Sequence, residues 1–228
     1  MNKNGTIPAS EGHNLLSLLH RPPASGVTMP WLLVLMHGVG SNEEDLFGLA
    51  DEVPAPFHVI SLRAPFVLGP GSYAWFEFSV APDGSRRIHT AQEAASREAI
   101  VRTVQAAALQ LGVPATRVVL GGFSQGGIMA LSLLRTRPEL WQAALVMHGR
   151  LLPEVDALAA PSAALRGKQL WVSHGLQDQV IPVASARAIR DLAATGPLTL
   201  TYNEFPGAHE IRPAELQAAM QWLGERAG

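Results

Sequence analysis

Residues 118–134 read Val118-Val119-Leu120-Gly121-Gly122-Phe123-Ser124-Gln125-Gly126-Gly127-Ile128-Met129-Ala130-Leu131-Ser132-Leu133-Leu134. An apolar run, Val118 to Leu120, leads into Gly122-Phe123-Ser124-Gln125-Gly126, and a helical stretch from Ile128 to Leu134 follows. The pattern predicts strand, sharp turn and helix, with a serine at the apex. So tight a turn needs positions nearly free of side chain two before and two after the serine, and Gly122 and Gly126 supply them. The serine is forced into a strained backbone conformation that lifts its Oγ clear of the sheet. Gln125 opens the helix, so its N–H is a free donor beside that oxygen. A G-x-S-x-G also arises by chance in a chain rich in glycine and serine; the flanking strand and helix give this one its meaning.

Working outward, the rest of the chain supports an α/β architecture. Six apolar runs read as strands: Trp31 to Met36, Phe57 to Leu62, Val118 to Leu120, Ala143 to Met147, Leu170 to Ser173 and Leu198 to Tyr202. They are continuous rather than alternating, as expected of strands buried on both faces of a parallel sheet. Leu15 to Leu19 adds a candidate edge strand, and Pro22 to Gly26 a turn. Helices fall between the strands with end signals of their own. Thr90-Ala91-Gln92-Glu93 has the form of a capping box, and that helix is expected to close at Gly112 before Pro114. Asn42 caps a helix that begins with acids, Pro138 limits the helix after the serine, and the last helix runs from about Pro213 to about Gly224. This alternation indicates an open, mostly parallel sheet with helices on both faces.

Composition narrows the classes of function. The 228 residues suffice for one α/β domain, expected to span 1–228. A net charge of −2 with no basic run argues against nucleic acid or an anionic membrane as partner. The chain has no cysteine, which excludes disulfides, thiol nucleophiles and thiolate metal sites. Met1 to Gly5 opens no apolar signal region and no run approaches a membrane span, so a cytoplasmic protein without membrane insertion is expected.

A serine hydroxyl needs a base, and the base an orienting acid. Active residues of an open α/β sheet gather on loops at the carboxyl ends of strands. Asp178 lies in such a loop, after the run Leu170 to Ser173, with a turn or cap aspartate as its plainer reading. His209 lies between the last strand and the last helix, which completes the order Ser124, Asp178, His209. Glu204 is the alternative acid. His37, His148 and His174 each end a strand before a glycine and so could reach the same edge. No His, Asp or Glu spacing suggests a metal site, so none is expected. The loop His37-Gly38-Val39-Gly40 follows the first core strand, and its glycines let N–H groups turn inward. Val39 and Gln125 are the candidate pair of oxyanion donors.

These landmarks together resemble the phospholipase/carboxylesterase family of α/β-hydrolases. The matching residues are His37-Gly38-Val39-Gly40, Gly122 to Gly127, His174-Gly175 leading to Asp178 and Val180-Ile181-Pro182, and His209-Glu210-Ile211. Arg63-Ala64-Pro65 followed by Ala74-Trp75-Phe76 also looks like the family's early loop. The resemblance implies an α/β-hydrolase fold without a large cap domain, with Ser124 as nucleophile, Asp178 as orienting acid and His209 as base. It implies oxyanion donors at Val39 and Gln125 and no cofactor. Ser41-Asn42 after the second glycine makes the chain more similar to small bacterial carboxylesterases than to acyl-protein thioesterases.

The expected activity is hydrolysis of short-to-medium acyl carboxylic esters through an acyl-serine, by a serine carboxylesterase. A thioesterase or lysophospholipase could use the same three residues, and a non-catalytic binding protein could keep the scaffold. The expected partner is a small-molecule ester, with a homodimer possible on symmetry grounds. Trp75, Phe66 and Leu176 are candidate substrate-binding residues; the apolar loop 65–78 lines an acyl site or simply covers the sheet.

Overall fold

The computed structural model describes residues 15–82 and 86–227. The Met1 to Gly5 stretch lies outside them. The chain begins with β1 (Leu18–Arg21), β2 (Trp31–Met36), α1 (Glu43–Phe47) and β3 (Phe57–Leu62). Two small antiparallel hairpins follow: β4 (Phe66–Gly69) with β5 (Ser72–Ala74), and β6 (Phe78–Val80) with β7 (Arg86–Ile88). Then come α2 (Thr90–Leu111), β8 (Val118–Phe123), α3 (Gln125–Thr136), β9 (Ala143–Met147) and β10 (Gln169–Gly175). The order closes with α4 (Ala184–Ala194), β11 (Thr199–Phe205) and α5 (Pro213–Ala227).

The central sheet has seven strands in the order β1-β3-β2-β8-β9-β10-β11. Only β1 runs antiparallel to its neighbour. Both faces are covered, which explains the unbroken apolar runs. Along β2, Leu32, Val34 and Met36 pack with Ile100 and Val104 of α2, Leu133 of α3 and Ile189 of α4. Leu33 and Leu35 face the other way, toward Leu46 of α1 and Trp222 and Leu223 of α5. Among the described residues the connections hold single helices, short hairpins and 3-10 turns, with no helical cap domain.

Several elements have other bounds than the sequence predicts, β1, β10 and β11 by a few residues, and three of the differences have a visible cause. β8 continues through Gly121 and Gly122, held by pairing with Leu145 and Val146, so the strand carries the chain right up to Ser124. The cap of α2 is His89, one residue before the expected Thr90: its Nδ1 accepts the Gln92 N–H at 3.4 Å. Glu93 turns inward to a buried pair with Arg97 at 3.0 Å instead of reaching back to the helix start. α5 runs through Gly224 to Ala227, because packing of Trp222 and Leu223 outweighs the roughly 1 kcal/mol that glycine costs in a helix.

Candidate active site

Ser124 sits between β8 and α3 with φ 53° and ψ −117°, a conformation that L side chains rarely adopt. The flanking glycines are required by space. A Cβ on Gly126 would stand 1.8 Å from the Met36 carbonyl oxygen at the end of β2, and one on Gly122 would stand 2.3 Å from Gly126. The turn is thus wedged against the neighbouring strand. His148, at the end of β9, has φ 52°, and these are the only two non-glycine residues with positive φ among those described. Each such residue costs on the order of 1–3 kcal/mol, held by its surroundings.

The structure brings Ser124, His209 and Asp178 together although 85 residues separate the first two. His209 Nε2 lies 2.9 Å from Ser124 Oγ, and His209 Nδ1 lies 2.6 Å from Asp178 Oδ2. Asp178 Oδ1 accepts the N–H groups of Val180 and Ile181, each at 2.8 Å. Burial opposes ionisation of Asp178, but hydrogen bonds from His209, His148 and Ile181 outweigh it and lower its pKa. The carboxylate therefore stays charged, and His209 is held as the Nδ1–H tautomer with Nε2 turned to the serine. Glu204 stands elsewhere: Arg187 and the Tyr202 hydroxyl hold its carboxylate, each at 2.8 Å.

Behind Asp178 lies a second polar layer. His148 Nδ1 is 2.8 Å from Asp178 Oδ2, and its Nε2 is 3.3 Å from Glu215 Oε2 of α5. Ser173 Oγ donates to the other Glu215 oxygen. His148, Ser173, His174 and Glu215 are all completely buried. A neutral imidazole has one N–H for two carboxylates, whereas an imidazolium serves both. Burial favours the neutral form of His148, yet the bonds to Glu215 and Asp178 prevail and raise its pKa. His174 is the opposite case. Burial lowers its pKa, and its Nε2–H donates to the Ile181 carbonyl at 2.7 Å.

His148, His174 and Asp178 place one possible ligand atom each within 4.8 Å of one another, a grouping that sequence spacing did not reveal. Their facing atoms are engaged in the hydrogen bonds just described, so the cluster is built as a proton-holding network and does not fit an open metal site.

On the other side of the serine, the loop after β2 makes a turn in which the Ser41 N–H donates to the Gly38 carbonyl at 3.2 Å. Gly38 is close enough that an added Cβ would lie 3.5 Å from Ser124 Cβ. Val39 and Gln125 line the same cleft as Ser124, and among the described residues neither N–H donates a hydrogen bond. Gln125 is anchored by its side chain, which accepts from the Trp75 N–H at 2.8 Å and donates to the Phe76 carbonyl at 2.6 Å. His37 braces the loop: it accepts the Ala64 N–H at Nε2, and its carbonyl accepts the Trp75 indole N–H at 2.9 Å.

The expected substrate-binding residues are placed otherwise. Trp75 is fully buried beneath the loop, its indole N–H spent on His37. Phe66 lines a separate groove with Leu16, Arg63 and Arg102. Leu176 is exposed and does not line the cleft. The cleft walls are instead Phe76, Phe78, Ile128, Val180 and Ile181, with Arg86 and Arg150. Phe76 belonged to the apolar loop singled out in the sequence; the arginines carried no local signal.

Comparison with known proteins identifies the family. Residues 26–225 match the family model described as Phospholipase/Carboxylesterase. Esterase YpfH of Escherichia coli (strain K12) is 29% identical over 198 residues, covering 84% of this chain and 81% of that protein. Acyl-protein thioesterase 1 of Neurospora crassa is 28% identical over 160 residues, covering 69% of this chain and 65% of that protein. The Bacillus cereus carboxylesterase superposes with a TM-score of 0.78 at 22% identity, covering 94% of this chain and 96% of that one. Fold and family match point the same way: the chain belongs to the phospholipase/carboxylesterase family of α/β-hydrolases and is a carboxylic ester hydrolase.

Proposed function

We propose that the protein hydrolyses carboxylic esters with short-to-medium acyl groups through an acyl-serine intermediate, with Ser124 as nucleophile, His209 as base and Asp178 as its orienting acid. The observation that carries this reading is the continuous hydrogen-bonded chain from Ser124 Oγ through His209 to Asp178. As Ser124 Oγ attacks the ester carbonyl, its proton passes to His209 Nε2. Asp178 stabilises the imidazolium without taking its proton. The N–H groups of Val39 and Gln125 receive the oxyanion, a contribution of about 2.7–4 kcal/mol per donor in comparable sites. His209 then protonates the leaving alcohol, and later takes a proton from the water that releases the acid. The small cleft beside Ser124, about 60 Å³, favours a short acyl group.

The test is hydrolysis of p-nitrophenyl esters from acetate to dodecanoate by wild type and Ser124→Ala. Turnover in the wild type that disappears in the variant supports the reading, and the chain-length optimum sizes the cleft. Burst kinetics surviving in Ser124→Ala would refute the nucleophile. The match to an acyl-protein thioesterase favours one second reading, a thioesterase using the same groups. Rates on a matched oxyester and thioester separate the two.

A further inference from the structure

Two arginines stand in the cleft with the serine. Arg150 follows β9, two residues after His148, and Arg86 opens β7. Both line the cavity that holds Ser124 and Gln125. Both also line a wider cavity of about 360 Å³ that continues along Gln179, Pro182 and Ser185. The two cavities share Val180 and Ile181, so they form one path leading away from the nucleophile.

Among the described residues, neither guanidinium forms an ion pair. Three other arginines are matched with acids, Arg63 with Glu43, Arg97 with Glu93 and Arg135 with Asp156, while Arg21 and Arg226, like Arg150, keep a buried Nε without a partner but stand away from the serine. Arg150 Nη1 donates only to the carbonyl of Leu151 at 3.1 Å, and its Nε is buried with no hydrogen-bond partner. Arg86 Nη2 donates to the Val180 carbonyl at 2.8 Å, and its guanidinium carbon lies 5.1 Å from the Phe78 ring centre. Burial lowers the pKa of Arg150; Glu154 partly opposes this, and Arg86 adds to it. Two like charges are therefore held near each other, half-buried, and among the described residues most of their donors are unspent. Such an arrangement is costly unless a ligand supplies the opposite charge. Guanidinium forks match the paired oxygens of a carboxylate or phosphate.

We propose that Arg150 and Arg86 form a subsite for an oxyanion carried by the ester substrate, making half-esters with a second, ionised carboxylate the preferred substrate class. The inference rests on the esterase reading above and adds the charge of the substrate to it. Arg86 also ties the β6–β7 hairpin to the loop that carries Asp178, so an anion bound there sits against the same loop that orients the base.

The experiment compares kcat/KM for mono-p-nitrophenyl glutarate with that for p-nitrophenyl pentanoate, and for carboxymethyl butyrate with that for propyl butyrate. The first pair places the carboxylate on the acyl side and the second on the alcohol side. A preference of about tenfold for the charged ester in either pair, expressed mainly in KM, is expected from one charge-assisted contact. Arg150→Gln and Arg86→Gln should each reduce that ratio about threefold and the double variant should abolish it, while Arg150→Lys should keep more of it than Arg150→Gln. Melting curves of each variant establish that it is folded. Glutarate and inorganic phosphate, tested as competitive inhibitors, distinguish carboxylate from phosphate as the oxyanion received. Equal or better turnover of the neutral ester in both pairs, or a preference that survives the double glutamine variant, overturns the proposal and leaves the esterase reading standing. Absence of turnover on every ester overturns both.

Discussion

The two walls that meet at Ser124 are built on opposite principles. On the inner wall, Asp178 accepts from His209, His148, Val180 and Ile181, and His148 is shared with Glu215. Apart from His174 Nδ1, its polar side-chain atoms have partners. On the outer wall, the N–H groups of Val39 and Gln125 donate to nothing described, and Arg150 Nε is unpartnered. Val39 and Val180 there are substantially exposed. With that one exception the inner wall is satisfied before any substrate arrives, so its geometry is fixed in advance. The outer wall becomes satisfied only when something binds. On the proposed mechanism the first wall activates the nucleophile, and the second receives the substrate and its developing charge.

Changes that empty the inner wall test this contrast most severely. Asp178→Asn should cut kcat by about 10⁴-fold, because His209 would lose both its tautomer and its charge partner. Steady-state kinetics on p-nitrophenyl butyrate measures it, and a loss under tenfold would mean that another acid serves. Gly126→Ala comes next, acting at the wedge between the walls. Its Cβ would meet Met36 O at 1.8 Å, so β2 and α3 must separate, at a cost of about 3 kcal/mol in denaturant unfolding. A wild-type midpoint would show that the turn is not wedged.

His148→Gln should cost about 2 kcal/mol, and its pH dependence sharpens the comparison further. The groups facing His148 are Asp178 and Glu215, with the His174 ring at 4.9 Å and the His209 ring at 5.4 Å. The folded pKa of His148 is raised above 6.5, so its contribution is complete below 6.5 and fades as pH climbs through the folded value. Melting curves between pH 5 and 9 should therefore show wild type and variant converging toward the alkaline end. Divergence there would mean that His148 is buried neutral. Asp178 works with the opposite sign. Its pKa is lowered below 3.8, so its stabilisation is present above that pH and is lost as pH falls through the folded value.

The smallest effect belongs to Arg187→Ala. Its partner Glu204 has a pKa lowered to about 2 by Arg187 and Tyr202, but the arginine is exposed and the pair lies outside both walls. Neither the melting midpoint nor kcat should move. A large fall in kcat would return Glu204 to candidacy as the acid.

The sequence carried the outline of the site because its signals are local. Gly122 and Gly126 mark a turn that tolerates nothing larger, and the apolar runs at Trp31–Met36, Phe57–Leu62 and Ala143–Met147 coincide with observed strands. Chain order then placed Asp178 and His209 at the ends of β10 and β11, where they meet the serine. What stayed hidden depends on distant partners. His148 reaches Asp178 across 30 residues and Glu215 across 67, and nothing near any of them announces the meeting. The repeated His-Gly at positions 37, 148 and 174 was a partial clue, since each pair ends a parallel strand at the same sheet edge. Trp75 misled because an aromatic in a loop can face either way; the free His37 carbonyl drew its indole inward. The cap of α2 was misplaced by one residue because Glu93 had a better partner in Arg97.

On the proposed mechanism, the inner wall also governs when the protein becomes active during folding. The elbow is assembled by neighbours in sequence, β8 and α3, with β2 beside them. The acid, the base and Glu215 arrive only after β10, β11 and α5 have docked, and contacts of such long sequence separation form late. A refolding chain with a native-like elbow and an undocked α5 would have its serine in place and no machinery to activate it. Recovery of ester hydrolysis after dilution from denaturant should therefore lag behind recovery of helical signal, with turnover reporting the last docking step.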